Sequence, residues 1–262
     1  MAVANQKGGV GKTTTAINLG AALARLGRRV LLVDLDPQGN ASTGLGILRD
    51  DRRVTSYDVL MGHASPGDAA RATGIERLEI IPATTDLAST DIELTADEGR
   101  STRLRRALAP DMLARTPFDH VLIDCPPSLN LLTVNALVAA GSVLIPLQSE
   151  FFALEGLSQL MMTLRDVRAR ANPELRIEGV VLTMSDRRNN LSQQVEADAR
   201  ENLGDLVFRT VVPRNVRLSE APSFAMTVLD YDPASTGAAA YLALAQELIE
   251  REHTESGVPA DA

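Results

Sequence analysis

Lys7-Gly8-Gly9-Val10-Gly11-Lys12-Thr13 lies near the start of a 262-residue chain, and its reading decides the rest. An apolar run, Met1 to Asn5, precedes it, and a pattern with helical spacing, Thr13 to Leu26, follows it. In such a strand–loop–helix setting, successive backbone N–H groups of a glycine-rich turn converge on an anion, and the helix dipole favours negative charge there. Lys12 is then placed to reach the outer phosphates of a nucleotide, and the Thr13 hydroxyl to hold Mg²⁺. The general pattern G-x-x-x-x-G-K-[ST] is not met strictly, because Gln6 stands where its first glycine belongs.

Working outward, lysine usage singles out the same loop. Lysine and arginine together number 26, yet the only lysines are Lys7 and Lys12. A chain that uses arginine everywhere else asks here for a compact ammonium rather than a planar fork. One cysteine, Cys125, excludes an intramolecular disulfide framework, and His63, His120 and His253 have no metal-ligand spacing. No basic leader or long apolar run is present, which predicts a cytoplasmic protein without a membrane span.

Short β-branched runs alternate with longer helical patterns almost from end to end, which predicts an α/β fold. The sheet should be doubly wound and mostly parallel, of about eight strands, with helices on both faces. Expected strands are Met1–Asn5, Arg29–Leu35, Leu78–Pro82, His120–Asp124, Ser142–Leu147, Ile177–Thr183, Leu206–Val212 and Thr227–Leu229. Expected helices are Thr13–Leu26, a region within Asp91–Leu113, Leu131–Ala139, Leu154–Arg170, Leu191–Asn202 and Ser235–Arg251. Residues 1–252 are read as one domain, and 253–262 as a disordered tail.

Lys-Gly-Gly-x-Gly-Lys-Thr resembles the deviant phosphate loop of the ParA/MinD family of P-loop ATPases. Further segments match its ParA (Soj-like) branch: Asp34-Leu35-Asp36-Pro37-Gln38-Gly39-Asn40, Asp124-Cys125-Pro126-Pro127-Ser128, Pro146 to Gly156, Thr183 to Val195, and Val212 to Ser223. The resemblance implies ATP and Mg²⁺ as ligands, with Lys7, Gly8, Gly9, Val10, Gly11, Lys12, Thr13 and Thr14 around the phosphates. It assigns Lys7 to the nucleotide of a partner protomer, across an ATP-dependent homodimer. Asp36 ends an apolar strand, where open sheets bind ligands, and the resemblance gives it the attacking water and a share of the metal site. Asp124 closes Val121-Leu122-Ile123, where a carboxylate holds Mg²⁺ through water. Asp34 projects to the same side but deeper, with a structural role as its plain alternative. With 3% aromatic residues a stacking platform for adenine is not expected, and the resemblance points instead to Pro213 and Asn215.

A net charge of −8 speaks against polyanion binding only if charge is spread evenly. From Arg187 to Arg217 six arginines face four acids, and Arg187, Arg188, Arg214 and Arg217 are read as loop residues free to reach phosphates. The resemblance implies non-specific binding of double-stranded DNA by the dimer, a ParB-type partner that triggers hydrolysis, and association with the nucleoid. Ala225 and Met226 depart from the family pattern, which has a glycine and often a basic residue there. The alternatives are a MinD-like membrane-cycling ATPase, which needs a basic amphipathic C-terminal helix, a cluster-bearing electron-transfer ATPase, which needs several cysteines, and a non-hydrolysing scaffold.

Overall fold

The computed structural model describes residues 1–109, 111–113, 117–150, 153–186 and 188–256. Along the chain run β1 (Ala2–Val3), α1 (Lys12–Arg25), β2 (Val30–Asp34), α2 (Asn40–Gly44), α3 (Ser56–Met61), α4 (Pro66–Ala69), β3 (Arg71–Ala72) and β4 (Leu78–Ile81). Then follow α5 (Thr90–Glu93), α6 (Arg103–Ala107), β5 (His120–Asp124), α7 (Leu131–Ala139), β6 (Ser142–Gln148) and α8 (Ala153–Arg170). The last third holds β7 (Arg176–Ser185), α9 (Asn190–Leu203), β8 (Val207–Pro213), α10 (Val216–Glu220), α11 (Val228–Tyr231) and α12 (Thr236–Ser256).

The strands form one eight-stranded sheet in the order β3-β4-β2-β5-β1-β6-β7-β8, with β3 antiparallel to β4 and every other pair parallel. Period-two alternation divides β2 between two cores. Leu31 and Val33 pack with α3, α6, α7 and α8 on one face, while Val30 and Leu32 pack with α1, α11 and α12 on the other. Burial on both faces explains why these strands read as continuous apolar runs. On the second face, the buried Tyr241 hydroxyl of α12 meets Thr15 Oγ1 of α1 at 3.1 Å, which fixes the helix that carries Lys12.

Three segments differ from the sequence expectation. Thr227–Leu229, expected as a strand, is the cap and first turn of α11. Thr227 Oγ1 donates to Asp230 Oδ2 at 2.6 Å, and the Val228 amide donates to Asn18 Oδ1 at 2.8 Å. The β8 edge is not open to it: Glu247 of α12 accepts from the Arg209 and Thr210 amides of β8 at 2.7 and 2.9 Å. Second, β3 and the short helices between β2 and β5 have too few residues to show a period. Third, α12 continues to Ser256, into the segment expected to lack structure.

Candidate nucleotide site

Parallel register brings the chemistry to one edge of the sheet. Val3 of β1 and Asp34 of β2 both pair with Asp124 of β5, so the phosphate loop after β1 and the two aspartates sit at the strands' carboxyl ends. Gly11 caps α1 at φ 85°, a left-handed conformation that glycine adopts without strain. The Asn5 side chain donates to Pro146 O at 2.7 Å and accepts the Lys7 amide at 3.0 Å, while Thr183 Oγ1 of β7 donates to Val10 O at 2.9 Å. The loop is thus stapled to β6 and β7.

Lys12 is buried, and its Nζ donates to Lys7 O at 2.9 Å. Burial lowers its pKa, while Asp124 and Asp36 oppose the shift. Asp124 is fully buried, and neither carboxylate oxygen has a hydrogen-bond partner. Burial and the neighbouring Asp34 charge push its pKa well up; the nearby Thr13 hydroxyl and Lys12 pull the other way. An orphaned buried carboxylate beside a threonine hydroxyl fits a hydrated Mg²⁺. Among the described residues no three His, Cys, Asp or Glu groups gather as a cage.

Asp34 accepts from the Ser42 amide and hydroxyl at 2.8 and 2.6 Å and from the Asp36 amide at 3.3 Å. Burial nonetheless lifts its pKa to about 6. These bonds give Asp34 the structural part of holding the loop after β2. Asp36 is buried, 7% exposed, with Oδ1 accepting the Gln38 amide at 2.9 Å. Beneath the loop Arg52 donates to Ile47 O, Ala83 O and Thr43 Oγ1. Its guanidinium lies where a side chain on Gly39 (φ 63°) would stand.

The other expected residues divide. Pro213 lines a groove of about 640 Å³ together with Ser185, Arg188, Arg214 and Thr236. Asn215 is not in its wall: its Oδ1 caps the Arg217 amide at 2.8 Å and its Nδ2 donates to Thr236 Oγ1 at 2.8 Å. Arg188 is 91% exposed yet lies 3.1 Å from Asp186, and Arg214 lies 3.9 Å from Glu150. Arg217, expected in a loop, belongs to the short helix α10 and pairs with Glu220 at 2.8 Å and Asp232 at 3.2 Å. The expectation that these side chains are free is therefore corrected: each already has an acidic neighbour. Arg187 lies outside the described residues. Thr183, Asn5, Ser42 and Arg52 support the site without having been assigned a role from sequence, because their work is to hold backbone. Two other cavities, of about 550 and 490 Å³ beside Ser65, Asp68 and Met112, contain none of the loop residues.

Comparison with known proteins gives a consistent result. Residues 1–177 match a family described as AAA domain. The chain is 62% identical over 252 residues to the chromosome partitioning protein ParA of Caulobacter vibrioides, covering 96% of this chain and 94% of that one. It is 54% identical over 248 residues to the sporulation initiation inhibitor protein Soj of Bacillus subtilis, covering 95% and 97%. A solved structure named cobyrinic acid a,c-diamide synthase from Mycobacterium smegmatis, with a bound ATP analogue and magnesium, superposes with a TM-score of 0.82 at 41% identity, over 98% of this chain and 95% of that one.

Proposed function

The chain belongs to the ParA/Soj family of chromosome-partitioning ATPases, and from that premise we propose that it is a nucleotide-driven DNA-segregation switch. Two protomers enclose ATP and Mg²⁺, the pair coats DNA without regard to sequence, and a ParB-type partner stimulates hydrolysis and release. The observation that carries this reading is the pairing of two lysines at the loop with the orphaned carboxylate of Asp124 beside Thr13.

Lys12 leaves Lys7 O and neutralises the β- and γ-phosphates, and the Gly8–Thr14 amides cradle them. Thr13, Asp124 and Asp36 would hold Mg²⁺, which would supply charge neutralisation on the phosphates. Asp36, fixed by the Gln38 amide, orients the attacking water. Lys7 reaches the partner's nucleotide as a trans-acting cation, a role typically worth about 10³–10⁵ in rate. Pro213 and Asn215 flank the base, and Arg188, Arg214 and Arg217, with Arg187, face DNA.

Two rival readings fare less well. Amide synthesis that draws ammonia from glutamine needs a reactive thiol. Cys125, the only cysteine, is 1% exposed, and burial pushes its thiol up. A MinD-like membrane anchor needs an unused apolar helix face. In α12 the apolar face is spent on the core through Tyr241, Leu244, Ala245 and Leu248. Among the described residues, no helix is long and apolar enough to cross a membrane. The test is the Asp36→Ala variant, which should bind ATP, pair and stay paired on DNA while turnover falls to background. Hydrolysis within a few-fold of wild type would remove Asp36 from the reaction.

A further inference from the structure

Among the described residues, Arg52 is a buried cation whose hydrogen bonds all go to neutral oxygens. Nε and Nη2 donate to Ile47 O at 3.1 and 2.8 Å, Nη1 to Ala83 O at 2.9 Å, and Nη2 also to Thr43 Oγ1 at 2.8 Å. Withdrawing a guanidinium from water is costly, and neutral acceptors offset that cost only in part. Packing alone does not call for such a group, whereas joining three separate points of the chain at once calls for a planar fork. One branch of the fork leads to Asp36. The Thr43 hydroxyl, which accepts from Arg52, donates to Gly39 O at 3.0 Å, and the Gly39 amide donates to Asp36 O at 2.9 Å. The other branch leads to the end of β4. There Ala83 is held twice, its carbonyl by Arg52 and its amide by Ser42 Oγ at 3.0 Å. The segment that carries Asp36 is therefore tied to β4 as well as to its own strand.

We propose that Arg52 is a positioning residue for hydrolysis: through Thr43 and Gly39 it fixes the main chain of Asp36, and with it the aim of that carboxylate at the attacking water. The proposal rests on the role given to Asp36 above. Arg52, Thr43 and Gly39 all lie outside the phosphate loop, so the relay acts on turnover and not on the capture of ATP. Without it the carboxylate is present but poorly aimed, and a misplacement of about 1 Å costs about 10²-fold in rate.

The experiment compares full-length wild type, Asp36→Ala, Arg52→Lys and Thr43→Val with ATP and Mg²⁺. It reads phosphate release, ATP affinity by calorimetry and pairing by light scattering. Lysine keeps the charge of Arg52 without its fork. Thr43 is exposed, and valine matches its shape, so Thr43→Val cuts the relay with little risk to folding and decides the matter if Arg52→Lys does not fold. Both variants should lower kcat by about 10–100-fold. ATP affinity should be unchanged, and the ATP-bound pair should persist longer in the same proportion. A residue that only supports the fold would lose affinity, pairing and turnover together, and that result overturns the proposal. Wild-type turnover in Thr43→Val, with Asp36→Ala at background, also overturns it and leaves the role of Asp36 standing. If Asp36→Ala itself turns over within a few-fold of wild type, the reading of Asp36 falls, and the relay with it.

Discussion

Lys12 and Lys7 are the residues whose chemistry separates most cleanly. Lys12 is buried against Asp124, whereas Lys7 is half-exposed at the rim. Lys12→Ala should abolish ATP binding, since the phosphate charge loses its main neutralising group. Lys7→Ala should bind nucleotide as a monomer and fail to pair. Calorimetric titration together with sizing by light scattering distinguishes them, and identical behaviour of the two variants would refute a trans role for Lys7. Ala225 offers a test of backbone strain. It stands after a 3₁₀ turn at φ 54°, ψ 38°, where an L-residue with a Cβ is strained by about 1–2 kcal/mol. Ala225→Gly should therefore stabilise the fold by about 1 kcal/mol after the entropy of the unfolded glycine is subtracted. Thermal melting should show a rise of about 2–4 °C; a fall would mean that this turn is not left-handed in solution. The lysine pair and the two aspartates were legible in the sequence because motif spacing specifies them. The staples made by Asn5 and Thr183 were not, because their meaning depends on β6 and β7 being delivered beside the loop.

One buried carboxylate ties α12 to the backbone of β8, beside Arg251 on Val207 O at 3.2 Å and Arg209 on Glu250 at 2.7 Å. Glu247 accepts the Arg209 and Thr210 amides and the Arg251 guanidinium at 3.0 Å, closing the sheet edge that a ninth strand would otherwise extend. Burial alone would raise its pKa, but these donors hold it below the usual carboxylate value. The folded state thus binds the proton less tightly than the unfolded chain does. Its contribution is complete above about pH 4.5, the value for a free glutamate, and is lost as pH falls through the lower folded value. Glu247→Gln should cost about 2–3 kcal/mol at pH 7, the worth of hydrogen bonds to a charged group. Urea unfolding of both proteins across pH should show the gap narrowing in acid, and a gap independent of pH would mean that the charge contributes nothing. The same contact explains one misreading at this scale. Thr227–Leu229 has strand composition but no edge to join, so it packs as a helical turn against α1. Long strands and long helices were legible because their periods run over enough residues. The helices α2 to α4, four to six residues each, were not.

For the whole molecule, the proposed DNA binding turns on how its charge is presented. Each described candidate arginine has an acidic neighbour, so a nearby carboxylate offsets part of its attraction for a DNA phosphate. Single-protomer affinity should consequently be low, and binding should require the ATP-linked pair, which offers two patches at once. In mobility-shift series on unrelated duplexes, affinity should appear with ATP and not with ADP. Its slope against log salt should be about −0.9 per phosphate contacted. Arg188→Glu or Arg217→Glu should make that slope shallower by about 2 in a pair, while sparing ATP binding and pairing. Equal binding in both nucleotide states would sink the DNA-coating model.

β1 is two residues long and lies inside the sheet, with Ala2 paired to Ile123 on one side and Val143 on the other. Synthesis runs from the N-terminus, yet the first strand made cannot be seated until β5 and β6, more than a hundred residues later, have emerged to receive it. The phosphate loop hangs from that strand and is stapled to Pro146 and Thr183. Nascent chains should therefore be blind to nucleotide for more than half of their translation, and a fragment ending at Gly141 should retain none on a filter. Non-local pairing of this kind makes folding slow, since distant segments must meet before contacts reward the closure. It also means that nucleotide should become a ligand only once the chain is well past its midpoint, so half-made copies should not compete for it.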